Sequence, residues 1–339
     1  MKVIAYAART AGGALQPYEY ESGPLGPNEV DVRVTHGGIC HTDLAAIDDE
    51  WGLARFPAVA GHEVVGEVVA IGAAVDEAAL PIGQRVGVGA LAGSCFRCES
   101  CISGRTNLCP LRDALVLRGD RGGFAHHVRA SDWRHVYPIP DSMPSEHAAP
   151  LMCAGTTVFS PLIANRVLPT HRVAVVGIGG LGHLALQFLN KWGCEVTAIS
   201  TTKDKQTDAE RFGATGFIAS REPGALRAAA GSFDFVLSTV SGDLPWDDYL
   251  GILSPRGRLC VAGVPERPIS VSALGLVSEA KEIVGGIVGT VAETRQMLDF
   301  AARHAIRPEV EMFPLTDFDQ ALDRVRGGNV RYRAVVDFT

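Results

Sequence analysis

Positive charge is the scarcer kind in this chain: 31 lysines and arginines stand against 38 aspartates and glutamates, a net charge of −7 over 339 residues. That balance argues against a nucleic-acid partner or an anionic membrane surface, both of which are held through arrays of cationic side chains. An uninterrupted apolar run of membrane-spanning length is also missing. The longest apolar stretch, residues 173–189, approaches that length but carries four glycines and a histidine between charged flanks, which reads as a buried strand followed by a helix. No basic segment precedes an apolar run at the N-terminus, so the expected location is the cytoplasm.

With 47% apolar and 20% charged residues, the composition is that of an ordinary globular protein. A chain of 339 residues is long for one core, so two domains are expected. Eight cysteines in a reducing compartment point to metal binding before disulfides.

The stretch from Gly38 to Gly66 holds Cys40-His41-Thr42-Asp43 and, about twenty residues on, Gly61-His62-Glu63. Thiolate and imidazole are the ligands zinc prefers, and a catalytic zinc needs three protein ligands with a fourth position left open. Cys153, in Leu151-Met152-Cys153-Ala154-Gly155, is the best third ligand, because the other cysteines are clustered elsewhere or lie in apolar strand patterns. On these residues alone, Cys40, His62 and Cys153 are either such a site or unrelated buried residues. Short apolar runs at 1–7, 29–36, 63–71, 85–88, 123–129 and 135–139, separated by turn-rich segments, make this part strand-rich.

Within it stands Cys95-x-x-Cys98-x-x-Cys101, followed after seven residues by Cys109. Each two-residue spacer lets the backbone turn and aim successive sulfurs at one point, so four thiolates can wrap a tetrahedral ion. Structural zinc is the reading adopted. An iron–sulfur cluster competes, since Pro110 follows the last cysteine, but ferredoxin-type runs close with a three-residue gap. Disulfides or free thiols are the third option.

From about residue 150 short apolar strands alternate with helical stretches, as in a parallel sheet with crossover helices. The strand at 171–176 runs into Gly177-Ile178-Gly179-Gly180-Leu181-Gly182 and then into a helical pattern at 184–191. The first glycine permits a tight turn, the second a close approach of backbone to pyrophosphate, and the third helix-on-strand packing. The alternative is a glycine-rich packing turn without ligand. After the second strand, 195–199, NAD-binding folds usually carry an acidic residue, whereas a 2′-phosphate needs hydroxyl and cationic donors. Here Ser200, Thr201, Thr202, Lys203 and Lys205 follow, so NADP is expected, with Asp204 as the dissenting charge. Thr239, Val240 and Val264 lie in loops after later strands, at the sheet edge where a nicotinamide sits. Helices at 204–212, 223–230, 246–253 and 292–304 and strands at 233–238, 258–262, 282–287, 310–313 and 332–338 complete the reading. The domains are therefore 1–149 with 290–339, and 150–289.

In the order Cys40-His-Thr-Asp43, Gly61-His-Glu63, the Cys95 to Cys109 lobe, Leu151-Met-Cys153-Ala-Gly155-Thr-Thr157-Val, 177–182 and Val330-Arg-Tyr-Arg333, the chain resembles the zinc-dependent medium-chain alcohol dehydrogenases, most of all the cinnamyl alcohol dehydrogenase type of NADP-dependent aldehyde reductase. The resemblance implies an α/β chain with a GroES-like catalytic domain, a doubly wound Rossmann domain, and a homodimer or homotetramer. It implies two zinc ions per chain, one on Cys40, His62 and Cys153 with water or Glu63 as fourth ligand, the other on the four clustered cysteines. Asp43 would orient His62, Thr42 would exchange a proton with the substrate oxygen, and Arg333, with His41, would hold the cofactor pyrophosphate; a solvent-facing place is the other fate of His41. The implied reaction is reversible hydride transfer between NADP(H) and a small aldehyde or primary alcohol. A polyol or secondary-alcohol dehydrogenase is the nearest alternative, and a non-catalytic dinucleotide-binding relative the next. Two departures stand out. Many relatives have a proton-relaying histidine where this chain has Ala45, leaving ordered water, a ribose hydroxyl or a nearby carboxylate such as Asp48 or Asp49 to continue the relay, and Gly285-Gly286 replaces a common Gly-Ser. Trp51, Leu53 and Leu91 are either pocket-lining residues or ordinary core.

Overall fold

Apolar residues two apart along a strand point to one face. Val30, Val32 and Val34 follow that rule and are buried in the strand Val30–Ile39 at the centre of the larger of two main sheets. The computed structural model describes residues 1–339 and divides them into two units, Met1–Thr156 with Thr290–Thr339, and Thr157–Gly289.

In the first unit the strand order is Val310–Pro314, Arg333–Asp337, Val30–Ile39, Val64–Ile71, Arg85–Val88, Val136–Pro138, with His127–Ala130 also pairing Val30–Ile39. Residues 290–339 thus return to the sheet begun by the N-terminal part. Arg333–Asp337 runs antiparallel to Val30–Ile39 with Ala334 opposite Ile39, which sets Arg333 beside the end of the strand that delivers Cys40. Phe124, fully buried, packs edge-on against Phe318 at 4.8 Å between ring centroids, tying the late helix Phe318–Arg326 to the early core.

The second unit is a six-stranded parallel sheet in the order Gly216–Ala219, Glu195–Ser200, Arg172–Val176, Phe233–Ser238, Leu253–Val261, Glu282–Gly285. Numbered along the chain this is 3-2-1-4-5-6, the doubly wound order, and it reverses between Arg172–Val176 and Phe233–Ser238. Ligands of such sheets bind beyond the carboxyl ends of the strands at that reversal. The apolar run at 173–189 resolves into the strand Arg172–Val176 and the helix Gly182–Trp192, joined by the glycine loop.

Several features differ from the expectations, among them the strands Leu15–Glu21 and Gly216–Ala219, which the sequence reading did not include. The unit boundary falls at 156/157 instead of 149/150, because the π-helical turn Leu151–Gly155 stays with the first unit: Met152 abuts Gly87 and Gly89, and Gly155 lies against Met297. The strand expected at 123–129 begins only at His127, since Gly123 and Phe124 donate their N–H groups to the carbonyls of Gly61 and Ala60 at 2.9 and 2.8 Å. The helical run Ser145–Ala164 is long and apolar enough to cross a bilayer, yet its most apolar window is 83% buried inside the protein, as a core helix would be.

Removal of the Phe124 ring leaves a cavity in a core that spans residues far apart in sequence. Phe124→Ala should lower unfolding free energy by about 3–5 kcal/mol in denaturant titration, with the unfolding slope unchanged.

Candidate functional site

Cys40 immediately precedes the helix His41–Asp48, whose third residue, Asp43, is fully buried. Its carboxylate accepts three hydrogen bonds: from the Cys40 N–H at 2.9 Å, from the Gly61 N–H at 2.8 Å, and from His62 Nδ1 at 2.7 Å. One side chain therefore caps the helix, anchors the loop at Gly61 and fixes the imidazole, whose Nδ1 must carry the proton because a carboxylate only accepts. Nε2 is left without a hydrogen-bond partner. Gly61 itself has φ +95°, and a Cβ there would strike the backbone at Gly123 and Phe124, so only glycine permits this approach.

The ligand atoms of Cys40, His62, Glu63 and Cys153 lie within 4.8 Å of one another, and all four residues are buried. Two of their polar atoms, His62 Nε2 and Glu63 Oε2, have no hydrogen-bond partner. Buried polar atoms are rarely left so. Two sulfurs, an imidazole nitrogen and a carboxylate oxygen facing one point form a donor set suited to zinc. The hydrogen bond from Cys153, together with His62, holds the Cys40 thiol well below its ordinary range despite burial. Cys153 is pushed well above it by that same bond and by burial. Burial disfavours charge on His62, but the Asp43 carboxylate outweighs it and raises the imidazole well above its usual value. Burial pushes the Glu63 carboxyl up to about 7 against the opposing pull of Arg333.

Arg333, expected at a cofactor pyrophosphate, is buried and its Nη2 donates to Glu63 Oε1. Burial works against its charge, yet the Glu63 carboxylate more than offsets this and raises its pKa. Nothing in the sequence announces a pair 270 residues apart. Thr42 is half-buried on the first turn of the helix. His41 faces outward, 3.7 Å from Glu50, its solvent-facing alternative. Ala45 is fully buried. Of the carboxylates offered in its place, Asp48 accepts from Arg326 Nη1 and Nη2 at 2.5 and 3.2 Å, and Asp49 accepts the Ala54 N–H at 2.9 Å. Both side chains thus fasten structure around the helix end. Trp51 and Leu53 are exposed, whereas Leu91 is buried.

Cys95, Cys98, Cys101 and Cys109 form the second cluster, their sulfurs within 4.8 Å of one another and none in a disulfide. The Cys95–Cys101 and Cys98–Cys109 sulfur separations of 4.0 and 3.9 Å match the edge of about 3.8 Å that a tetrahedral zinc–thiolate site requires. The Cys98 and Cys95 N–H groups donate to the sulfurs of Cys95 and Cys109 at 3.3 and 3.4 Å, as thiolate ligands require. Hydrogen bonds from backbone N–H groups, that of Arg97 foremost, bring Cys95 down to about 6. Beside the lobe, His135 Nε2 is 3.0 Å from Ser94 Oγ and its ring packs edge-on against Phe96.

In the second unit, Gly177 adopts φ +87°, and a Cβ there would meet the Val240 side chain. A Cβ on Gly182 would run into the Gly177 carbonyl, while one on Gly179 would meet nothing within 4 Å. The loop is thus tightly closed at both ends and open in the middle, the shape a pyrophosphate needs. Thr239 Oγ1 lies 2.9 Å from each of the carbonyl oxygens of Val176 and Gly177, joining the two strands at the reversal. Among the residues expected at a 2′-phosphate, Lys205 Nζ donates to the Ile178 carbonyl at 2.7 Å, Lys203 pairs with Glu222 at 2.7 Å, and Thr202 donates to Asp204 at 2.9 Å. Ser200 ends its strand, Thr201 is exposed, and Val264 is 64% exposed. A Cβ on Gly286 would lie 3.1 Å from Cys260 Sγ and 3.3 Å from Ala262 Cβ, leaving little room for the serine of relatives.

Two family models match the chain, the alcohol dehydrogenase GroES-like domain over residues 26–141 and the zinc-binding dehydrogenase domain over residues 180–303. The chain is 42% identical to the aldehyde reductase AdhA of Synechocystis sp., over 98% of each. Its fold matches a cinnamyl alcohol dehydrogenase of Sorghum bicolor with a TM-score of 0.94 and 36% identity, covering 99% of this chain and 98% of that one. It also matches a cinnamyl alcohol dehydrogenase of Helicobacter pylori, solved with NADP(H), with a TM-score of 0.89 and 28% identity over 99% and 98%. The chain belongs to the zinc-type medium-chain alcohol dehydrogenases, a family of oxidoreductases.

Asp43→Asn keeps the shape but replaces an acceptor oxygen with a donor and removes the charge that holds His62. Loss of such an orienting carboxylate typically weakens a metal site 10- to 100-fold; chelator competition followed by metal analysis should show about that loss of affinity at one site while the four-cysteine site keeps its ion. A second expectation concerns pH. Burial pushes the His135 imidazole down to about 4, below the ~6.5 of an unfolded chain. Since the unfolded state then binds the proton more readily, the stabilisation is full above about pH 6.5 and is lost as pH falls towards 4. The stability gap between wild type and His135→Gln should shrink over that window by on the order of 3 kcal/mol; a gap independent of pH would contradict it.

Proposed function

We infer that this protein is an NADP(H)-dependent aldehyde reductase that also oxidises primary alcohols. One observation carries the reading: four buried metal-ligating side chains converge with the His62 Nε2 and Glu63 Oε2 atoms unsatisfied, in a chain that also has a phosphate-shaped glycine loop.

In this reading Cys40, His62 and Cys153 hold a zinc ion, with Glu63 or water in the fourth position. Zinc so held supplies a Lewis acid that polarises a carbonyl oxygen. The chain's own groups do the rest. Asp43 keeps His62 in the tautomer that presents Nε2, and Arg333 holds one oxygen of Glu63 so that the other stays directed at the ligand cluster. Thr42, two residues from Cys40, supplies and accepts the proton exchanged at the substrate oxygen. In this reading the proton reaches solvent through water or a ribose hydroxyl, which agrees with the full burial of Ala45 and with the bonds that Asp48 and Asp49 make to Arg326 and Ala54. The 177–182 loop cradles the pyrophosphate, and Ser200, Thr201, Thr202, Lys203 and Lys205 receive the 2′-phosphate. Support for NADP comes from this cluster of hydroxyls and ammonium groups, where an NAD site carries a carboxylate, and from the solved relative bound to NADP(H). The four-cysteine cluster holds a second, structural zinc, and the working form is a homodimer or homotetramer.

The purified protein should oxidise NADPH in the presence of aromatic, unsaturated or aliphatic aldehydes, contain two zinc ions per chain, and lose activity on prolonged chelation. Thr42→Val should lower kcat by about 10²-fold or more with NADPH affinity unchanged. A zinc-loaded protein that binds NADPH yet reduces no aldehyde would favour the non-catalytic alternative, and faster turnover of ketones than aldehydes would favour a secondary-alcohol dehydrogenase.

A further inference from the structure

The parallel strands Glu195–Ser200 and Gly216–Ala219 are in register with Ser200 opposite Ala219, so their carboxyl ends stop side by side. Backbone contact continues past the strand ends: the Ser220 N–H donates to the Ser200 carbonyl at 2.7 Å and the Arg221 N–H to the Thr201 carbonyl at 3.2 Å. Glu222 then meets Lys203, its Oε1 2.7 Å from Nζ. The segment expected to receive the 2′-phosphate thus has a second wall, made of the next loop, which sets Arg221 beside Thr201 through its backbone and brings the Glu222 carboxylate to Lys203. Arg221, Glu222, Thr201, Thr202 and Lys203 are all exposed, as a site for an entering phosphate requires.

We propose that Arg221 and Glu222 set the discrimination between phosphorylated and unphosphorylated adenosine ribose, Arg221 as a further donor to the 2′-phosphate and Glu222 as the counter-ion that occupies Lys203 until the phosphate arrives. The assignment rests on the NADP reading above and deepens it. A guanidinium offers paired N–H groups that match phosphate oxygens, which lysine does not. Glu222 acts in the opposite sense. An exposed ion pair is worth little in water, so the phosphate can displace the carboxylate, but the displaced anion remains within a few ångströms of a dianion and weakens its binding. Selectivity at this edge is therefore the balance of a cation and an anion supplied by the third strand's loop, in addition to the residues after the second strand.

Binding of adenosine 2′,5′-bisphosphate and of adenosine 5′-monophosphate to the full-length protein, measured by calorimetry at fixed salt, isolates the 2′-phosphate. Wild type should bind the bisphosphate more tightly. Arg221→Gln should weaken the bisphosphate about tenfold, as expected for loss of a charge-assisted hydrogen bond, and Glu222→Gln should tighten it about threefold, each leaving the monophosphate within about twofold. If wild type prefers the bisphosphate but the variants change neither ligand, or both ligands equally, the roles given to Arg221 and Glu222 are overturned while the NADP reading stands. If wild type binds both ligands equally, the NADP reading itself fails, and this assignment with it. Both residues are exposed, so circular dichroism of the variants should match wild type.

Discussion

A single buried carboxylate holds the catalytic half of this protein together. Asp43 is removed from water, at a cost of several kcal/mol for an isolated ion, and it persists because three donors converge on its two oxygens. Hydrogen bonds to a charged group contribute about 1.5–3 kcal/mol each, so three of them are of the size needed to offset the burial. Two donors are not. The carboxylate therefore specifies the helix start at Cys40, the left-handed turn at Gly61 and the rotamer of His62 together, and the separation between the Cys40 and His62 ligand atoms follows from it.

Around that anchor the charges have to be matched. A Cys40 sulfur held below its usual pKa and the Glu63 carboxyl lie in the same buried pocket, and the cation that answers them from the chain is Arg333. Its position depends on the register that sets Ala334 opposite Ile39. The return of residues 290–339 to the first sheet thus has an electrostatic role as well as a topological one: without the last strand, Glu63 would lose its guanidinium partner.

The division between what could be read in the sequence and what could not follows from the range of the interactions. Cys95, Cys98, Cys101 and Cys109 declare their site because the spacers alone bring the sulfurs together, and the 177–182 loop does so because strand, turn and helix are consecutive. Both are local geometry. Five of the six parallel strands were also legible, since buried parallel strands are continuous apolar runs punctuated by helices; the short edge strand Gly216–Ala219 was not. The boundary at 156/157 was not, because it is decided by Met152 and Gly155 packing against Gly87, Gly89 and Met297, contacts with no local signature. The Glu63–Arg333 pair was missed for the same reason. The bonds that Asp48 and Asp49 make were no more legible, because the partner of one, Arg326, is 278 residues away, and that of the other is a backbone N–H.

The two candidate sites use the dielectric in contrary ways. At the metal cluster the ligands are buried, interactions between charges are strong, and a misplaced group is costly, so geometry is fixed by a few indispensable bonds and residue identity leaves little latitude. At the ribose edge the side chains from Thr201 to Lys203 and from Arg221 to Glu222 stand in solvent, where any one pair contributes about 0–1 kcal/mol and salt screens the rest. No single residue can dictate the choice of cofactor there; the sum of several exposed charges must. That sum is a property of composition, which is why a preference for a 2′-phosphate can be inferred from a run such as Ser-Thr-Thr-Lys. It is also why a neighbouring loop, contributing one positive and one negative side chain, can shift the balance without altering the fold.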